Sequence, residues 1–177
     1  ATRDTRLMTH VLRSHFPATL TNATYATYLR CHDDIGWAIT DEDAAALGLS
    51  GPAHRAYLSA FYEGDFPGSF AQGAPFQVNE ATGDKRISGS LAALAGLERA
   101  LVTGDMLAAE YALQRILLGH ALIASFGGIP LIYMGDELAM LNDHSYLDQP
   151  DHAHESSRLH RPRMDWAAAA ASWLSRG

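Results

Sequence analysis

One cysteine, Cys31, is all that 177 residues contain, so no internal disulfide can form and the chain stands apart from disulfide-stapled secreted folds. That usage fits a cytoplasmic protein and leaves secretion open. Positive charge is also scarce: 13 Lys and Arg face 20 Asp and Glu, for a formal net charge of -7. Nucleic acid and anionic membranes both require a basic face, so this balance argues against them and favours neutral or polar small ligands. No apolar run is long enough for a membrane span, because the longest, Met106 to Phe126, is interrupted by Glu110, Gln114, Arg115 and His120. A signal-peptide pattern is missing too, since Ala1-Thr2-Arg3-Asp4-Thr5-Arg6 carries an acid and no long apolar core follows. The chain does not open on methionine, which raises the expectation of processing or of a preceding N-terminal portion.

A hydrophobic share of 47% with 19% charged residues is that of an ordinary globular protein, with material for one domain and a substantial core. The most distinctive stretch is Cys31-His32-Asp33-Asp34-Ile35-Gly36-Trp37, which ends the β-prone run Tyr25-Ala26-Thr27-Tyr28-Leu29. In parallel α/β barrels the active site is built at the carboxyl ends of the strands, so a histidine and two carboxylates there suit chemistry. A single His-Asp pair often does no more than anchor a loop; seven consecutive residues of this character favour a site.

Helical spacing of Leu7, Met8, Val11 and Leu12 predicts a helix over 4–15, and Asp41-Glu42-Asp43 opens a short one ending near Gly48. From Ser50 to Ser90 glycine, proline and aromatics are dense, which reads as a long loop excursion holding a small hairpin. Its arms are Phe76-Gln77-Val78-Asn79 and Lys85-Arg86-Ile87-Ser88, around the turn at Gly83. The aromatics there suit stacking on sugar or nucleobase faces, although a small local core is their commoner use. Helices follow over 91–101 and along the apolar stretch after Asp105, and then Gly127-Gly128 introduces a buried strand, Ile129 to Met134, ending in Asp136 and Glu137. Strand, helix and strand in that order imply a βαβ unit with a parallel pair, delivering both sets of carboxylates to one face. The tail from Asn142 to Arg163 is polar and rich in histidine; His152 and His154 form only a weak metal pattern. A last helix begins near Met164-Asp165-Trp166.

Taken together, several motifs resemble glycoside hydrolase family 13, the α-amylase superfamily, and within it the amylosucrase group. They are Tyr28 through Trp37, Asp41-Glu42-Asp43-Ala44-Ala45, Gly68-Ser69-Phe70-Ala71, Pro75-Phe76-Gln77 and Thr82-Gly83-Asp84. Pro130 through Glu137 and His160-Arg161-Pro162-Arg163 complete the set. The resemblance implies an α/β fold that is part of a (β/α)8 TIM barrel. Residues 1–37 would supply helix six and strand seven, 38–90 an inserted loop subdomain, and 91–177 helix seven, strand eight and the following loop. A complete barrel needs roughly 250 residues, so the rest of the same barrel is an implied partner.

The implied activity is that of a retaining transglucosylase that takes glucose from sucrose, releases fructose and extends an α-glucan acceptor, with no cofactor and no metal. The family's nucleophilic Asp and acid/base Glu have no counterpart here, so this piece alone is expected to be inactive. By the same resemblance Asp33 is the transition-state stabiliser gripping glucose hydroxyls and His32 its neighbouring donor. Asp34 faces the acceptor side, Arg86 and Gln77 line acceptor sites, and Tyr57 is a stacking platform. Asp136 and Glu137 are structural. The group's Arg-Trp-x-His-Arg-Pro pattern departs here, because Ser157 falls where Arg stands and Arg158 where Trp stands. Either Arg158 takes the pocket-closing role after a one-residue shift or the pocket lacks that ion pair. Sucrose hydrolase, trehalose synthase and α-glucosidase activities are alternatives within the family. From other classes come a metal-dependent phosphohydrolase using His32 and Asp33 with His152 and His154, and a non-catalytic partial barrel.

Overall fold

The computed structural model describes residues 1–16 and 20–174. It is a mixed α/β structure with seven α-helices and two small sheets among the described residues. The elements run α1 (Arg6–His15), β1 (Ala26–Thr27), α2 (Asp41–Ala45), α3 (Gly51–Glu63), β2 (Ala74–Phe76), β3 (Arg86–Ser88) and α4 (Leu91–Ala95). They continue with α5 (Leu97–Thr103), α6 (Met106–Ser125), β4 (Ile129–Pro130), three 3-10 turns at Asp136–Leu138, Ser145–Asp148 and Ser156–His160, and α7 (Trp166–Leu174).

The expected parallel pair is present. Ala26 lies opposite Ile129 and Thr27 opposite Pro130, with amide bonds from Ile129 to Tyr25 and from Leu131 to Thr27, each 2.8 Å. α6 connects the two strands and packs on β4, completing a β1–α6–β4 arrangement across the intervening insertion. The strands were expected to be buried, and here the structure differs. Ile129, Leu131 and Ile132 are exposed, because α6 supports one side and no described element covers the other. Parallel strands are ordinarily covered on both faces.

The core is a small-residue layer formed by α4, α5 and α6. Ala92, Ala95, Leu97, Ala100, Ala109, Ala112 and Ile116 interlock, and their short side chains allow the helices to approach closely. The helix predicted over 91–101 is two helices, broken at Gly96, whose φ of 100° closes α4. A Cβ at Gly96 would sit 3.0 Å from Phe70, so the break also seats the insertion on the core. α6 is apolar beyond the face it buries: Leu107, Leu117, Leu118 and Leu122 are all more than half exposed.

Residues 38–90 are more regular than the expected loop. α3 occupies thirteen of them, capped by Ser50, whose Oγ accepts from the Ala53 amide at 3.3 Å, and closed by Gly64 at φ 99°. Gly51-Pro52 opens this helix, where a missing proline N–H costs nothing. The aromatics form their own cluster: Tyr57 meets Phe66 edge-on at 4.7 Å, Phe61 meets Phe70 at 5.1 Å, and Trp37 stacks on Tyr62 at 5.5 Å. The hairpin exists but begins earlier than expected, with Ala74–Phe76 antiparallel to Arg86–Ser88. Gln77 leaves the strand at φ 47°.

α1 is tied down by polar contacts. His10 and His15 each donate Nε2–H to the Asp43 carboxylate, at 3.1 and 2.9 Å, and Thr40 Oγ1 donates at 2.9 Å. The His15 hydrogen bond, helped by Thr40 and His10, lowers the Asp43 pKa below its ordinary value.

Ile87, fully buried, joins the hairpin to the loop after β1 by reciprocal 2.9 Å amide bonds with Ile35. Ile87→Ala is therefore expected to cost about 2–5 kcal/mol, read from the urea-unfolding midpoint, with an unchanged slope.

Candidate functional site

The carboxyl ends of β1 and β4 converge on one buried cation. Arg30, 3% exposed, donates Nε–H to Asp136 Oδ1 at 3.1 Å, Nη1–H to the Cys31 carbonyl at 3.2 Å and Nη2–H to the His160 carbonyl at 3.0 Å. Its guanidinium also lies 4.5 Å from the centre of the Tyr133 ring. Three donor positions thus reach three separate segments, which suits a planar guanidinium and would not suit a lysine. Burial pushes the Asp136 pKa up, against the pull of Arg30.

His160 forms the next layer. It is almost completely buried and donates Nε2–H to the His32 carbonyl at 3.0 Å. Arg161 Nε donates to the same carbonyl at 2.8 Å, so two consecutive residues hold one backbone oxygen. Burial lowers the His160 pKa, and the neutral ring with a proton on Nε2 satisfies the carbonyl. Among the described residues its Nδ1 has no hydrogen-bond partner, and it lies 3.7 Å from Asp34 Oδ1.

With the backbone held in this way, His32 and Asp33 project outward. Their side chains are 67% and 66% exposed, and His32 Nε2 lies 3.5 Å from Asp33 Oδ1. Asp34 turns the other way: its side chain is 5% exposed and accepts a hydrogen bond from Ser88 Oγ on β3. The expected site pair therefore points to solvent, while the residue expected on the acceptor side is buried between Ser88 and His160.

Arg86 and Gln77 do share one cavity. A groove of about 520 Å³ is lined by both, with Trp37, Arg55, Asp84 and Lys85 among its other walls. Arg55 is committed within it, donating to Asp84 at 3.0 Å, Asp41 at 2.8 Å and the Ile39 carbonyl at 2.9 Å. Lys85 pairs with Glu63 at 2.5 Å. Arg86 carries no ion pair among the described residues, which leaves its guanidinium open to the groove. Tyr57 belongs to the aromatic cluster of α3 and is not among the residues lining this groove. Arg158 lines a different cavity of about 400 Å³ with Tyr146, Arg161 and Arg163, and pairs with Glu155 at one 3-10 turn away.

Three metal-capable donors also meet at the strand end, where Cys31 Sγ, a His32 ring nitrogen and an Asp33 oxygen lie within 4.8 Å of one another. His152 Nδ1 has Glu155 at 3.4 Å, and His154 joins no three-donor cluster among the described residues.

The supporting residues Arg30, Ser88, His160 and Arg161 were not singled out by chemistry in the sequence. Arg30 had a readable signal, being a lone cation in an apolar strand facing a strand-end carboxylate. His160 stands in the His160-Arg161-Pro162-Arg163 motif, but its bond to the His32 carbonyl spans 128 positions and left no local signal. No family model matches the chain.

Arg30→Ala leaves Asp136 buried without its cation and is expected to cost about 3–5 kcal/mol at neutral pH. A carboxyl whose folded pKa is raised adds stability below its unfolded pKa and loses it as pH rises through the folded value. The deficit of Arg30→Ala should accordingly shrink towards acid pH, as measured by urea unfolding at several pH values. The His160 ring should remain neutral with the proton on Nε2 at pH values below the ordinary histidine pKa, which ring-nitrogen NMR shifts would report. A ring that takes up its second proton at or above the ordinary histidine pKa would contradict this layout.

Proposed function

We propose that the chain is the strand-seven to strand-eight part of a family 13 glycoside hydrolase barrel, of amylosucrase type, acting on sucrose. The observation that carries the reading is the parallel β1–β4 pair whose carboxyl ends lead into an outward-facing His32–Asp33 pair. Buried Arg30 and His160, with exposed Arg161, hold that pair from behind. Exposed Ile129, Ile132 and the leucines of α6 support the partial-barrel aspect, as they provide an apolar surface for further strands and helices.

In this reading Asp33 and His32 grip the hydroxyls of the glucosyl ring. Such hydrogen bonds strengthen as the ring flattens towards an oxocarbenium ion, and together supply several kcal/mol. The nucleophile and acid/base come from the remainder of the barrel, and the chain's own contribution is binding, orientation and charge stabilisation. Arg86 and Gln77, in the groove beside Trp37, receive the acceptor glucan. Asp34 orients the loop through Ser88.

The test is to supply the complete protein with sucrose. Release of fructose together with growth of an α-glucan is expected, and Asp33→Asn should lower the rate by about 10²–10⁴-fold. Equal glucose and fructose without glucan would identify a hydrolase. Absence of any reaction with sucrose would refute the proposal.

A further inference from the structure

We propose that Cys31, His32 and Asp33 bind a thiophilic divalent cation of the zinc type, at the position the outward-facing pair occupies. The three residues offer sulfur, nitrogen and oxygen donors, all within 4.8 Å of one another. A tetrahedral zinc with Zn–N and Zn–O near 2.0–2.2 Å separates those two ligand atoms by about 3.3–3.5 Å. His32 Nε2 and Asp33 Oδ1 are 3.5 Å apart already.

The backbone that carries these donors is held at two consecutive carbonyls. Arg30 holds that of Cys31, and His160 and Arg161 hold that of His32. Metal sites gain affinity from supports of this kind, which fix the ligands before the ion arrives. Exposure of both His32 and Asp33 leaves an entry path and a fourth coordination position facing solvent.

The donor set selects the ion. Thiolate and imidazole suit zinc, cobalt and copper, whereas magnesium and calcium require oxygen ligands. On binding, the Cys31 thiol loses its proton to solvent and the Sγ–metal bond forms, so affinity rises with pH. Other donor groups are less suited. The Asp43 carboxylate is already occupied by His10, His15 and Thr40, and His152 with Glu155 supplies two donors.

Binding of the cation does not rest on the proposed sugar chemistry; its consequence does. Because the same His32 and Asp33 side chains would grip the glucosyl ring, cation and sugar exclude one another at this site.

The experiment is titration of the chain with Co²⁺ alone and then with Zn²⁺ alone. One equivalent of each should bind, with cobalt giving the near-ultraviolet charge-transfer band of a thiolate ligand. Cys31→Ser should abolish that band and, like Asp33→Asn, weaken zinc by at least about tenfold. His152→Ala with His154→Ala should retain both band and affinity. A wild-type chain without the band, or with zinc affinity equal to that of Cys31→Ser, overturns the site. In the complete protein zinc should raise the apparent KM for sucrose, and Cys31→Ser should remove that effect. If zinc binds with the cobalt band in place but sucrose turnover is unmoved, mutual exclusion is overturned. If sucrose is not a substrate at all, the functional proposal fails while the cobalt band still decides the metal site.

Discussion

The buried guanidinium of Arg30 is the interaction on which the arrangement of the strand ends depends. A cation 3% exposed is tolerable only where its N–H groups are satisfied and a carboxylate is close. Asp136 provides the charge, and the carbonyls of Cys31 and His160 take the remaining directions. The end of β1, the turn after β4 and the 3-10 turn at Ser156–His160 are thereby brought to a common point. Placement of His32 and Asp33 at the surface follows, because His160 and Arg161 then reach the His32 carbonyl.

A second constraint ties this point to the insertion. Ile35 pairs with Ile87, and Asp34 with Ser88, so the loop after β1 is an additional edge of the β2–β3 hairpin. Asn142 performs a similar task on the opposite side. Its side chain accepts from the Ser90 amide and donates to the Gln72 carbonyl, both at 2.8 Å, while its own amide donates to buried Glu98 at 2.9 Å. Polar groups buried in this way are costly when unpaired, so their pairing specifies one arrangement of otherwise weakly packed segments. The alanine core of α4, α5 and α6 supplies burial but little shape selectivity of its own.

Parts of this architecture were legible in the sequence. The parallel pair followed from two β-prone runs separated by a long helix, and α1, α2, α6 and α7 followed from periodicity and composition. α3 was not, since Gly51-Pro52 resembles a loop until Ser50 is recognised as its cap. The break at Gly96 was equally silent, because only the approach of Phe70 from the insertion shows why a side chain is unwelcome there. Within the candidate site, His32 and Asp33 were readable from their position after a strand. The orientation of Asp34 was not, as it depends on a hydroxyl 54 positions away.

By itself the sequence determined α1, α2, α6 and α7, the scarcity of basic charge and the placing of a His-Asp-Asp segment after a β-prone run. These depend on neighbouring residues, on capping and on side-chain period, which act over a few positions. Tertiary structure alone decided which of the three polar side chains face solvent, that Arg86 and Gln77 share a groove, and that Arg158 pairs with Glu155 in another. Those outcomes depend on contacts between segments far apart in the chain, where a buried charge or carbonyl takes whichever partner the packing brings within reach.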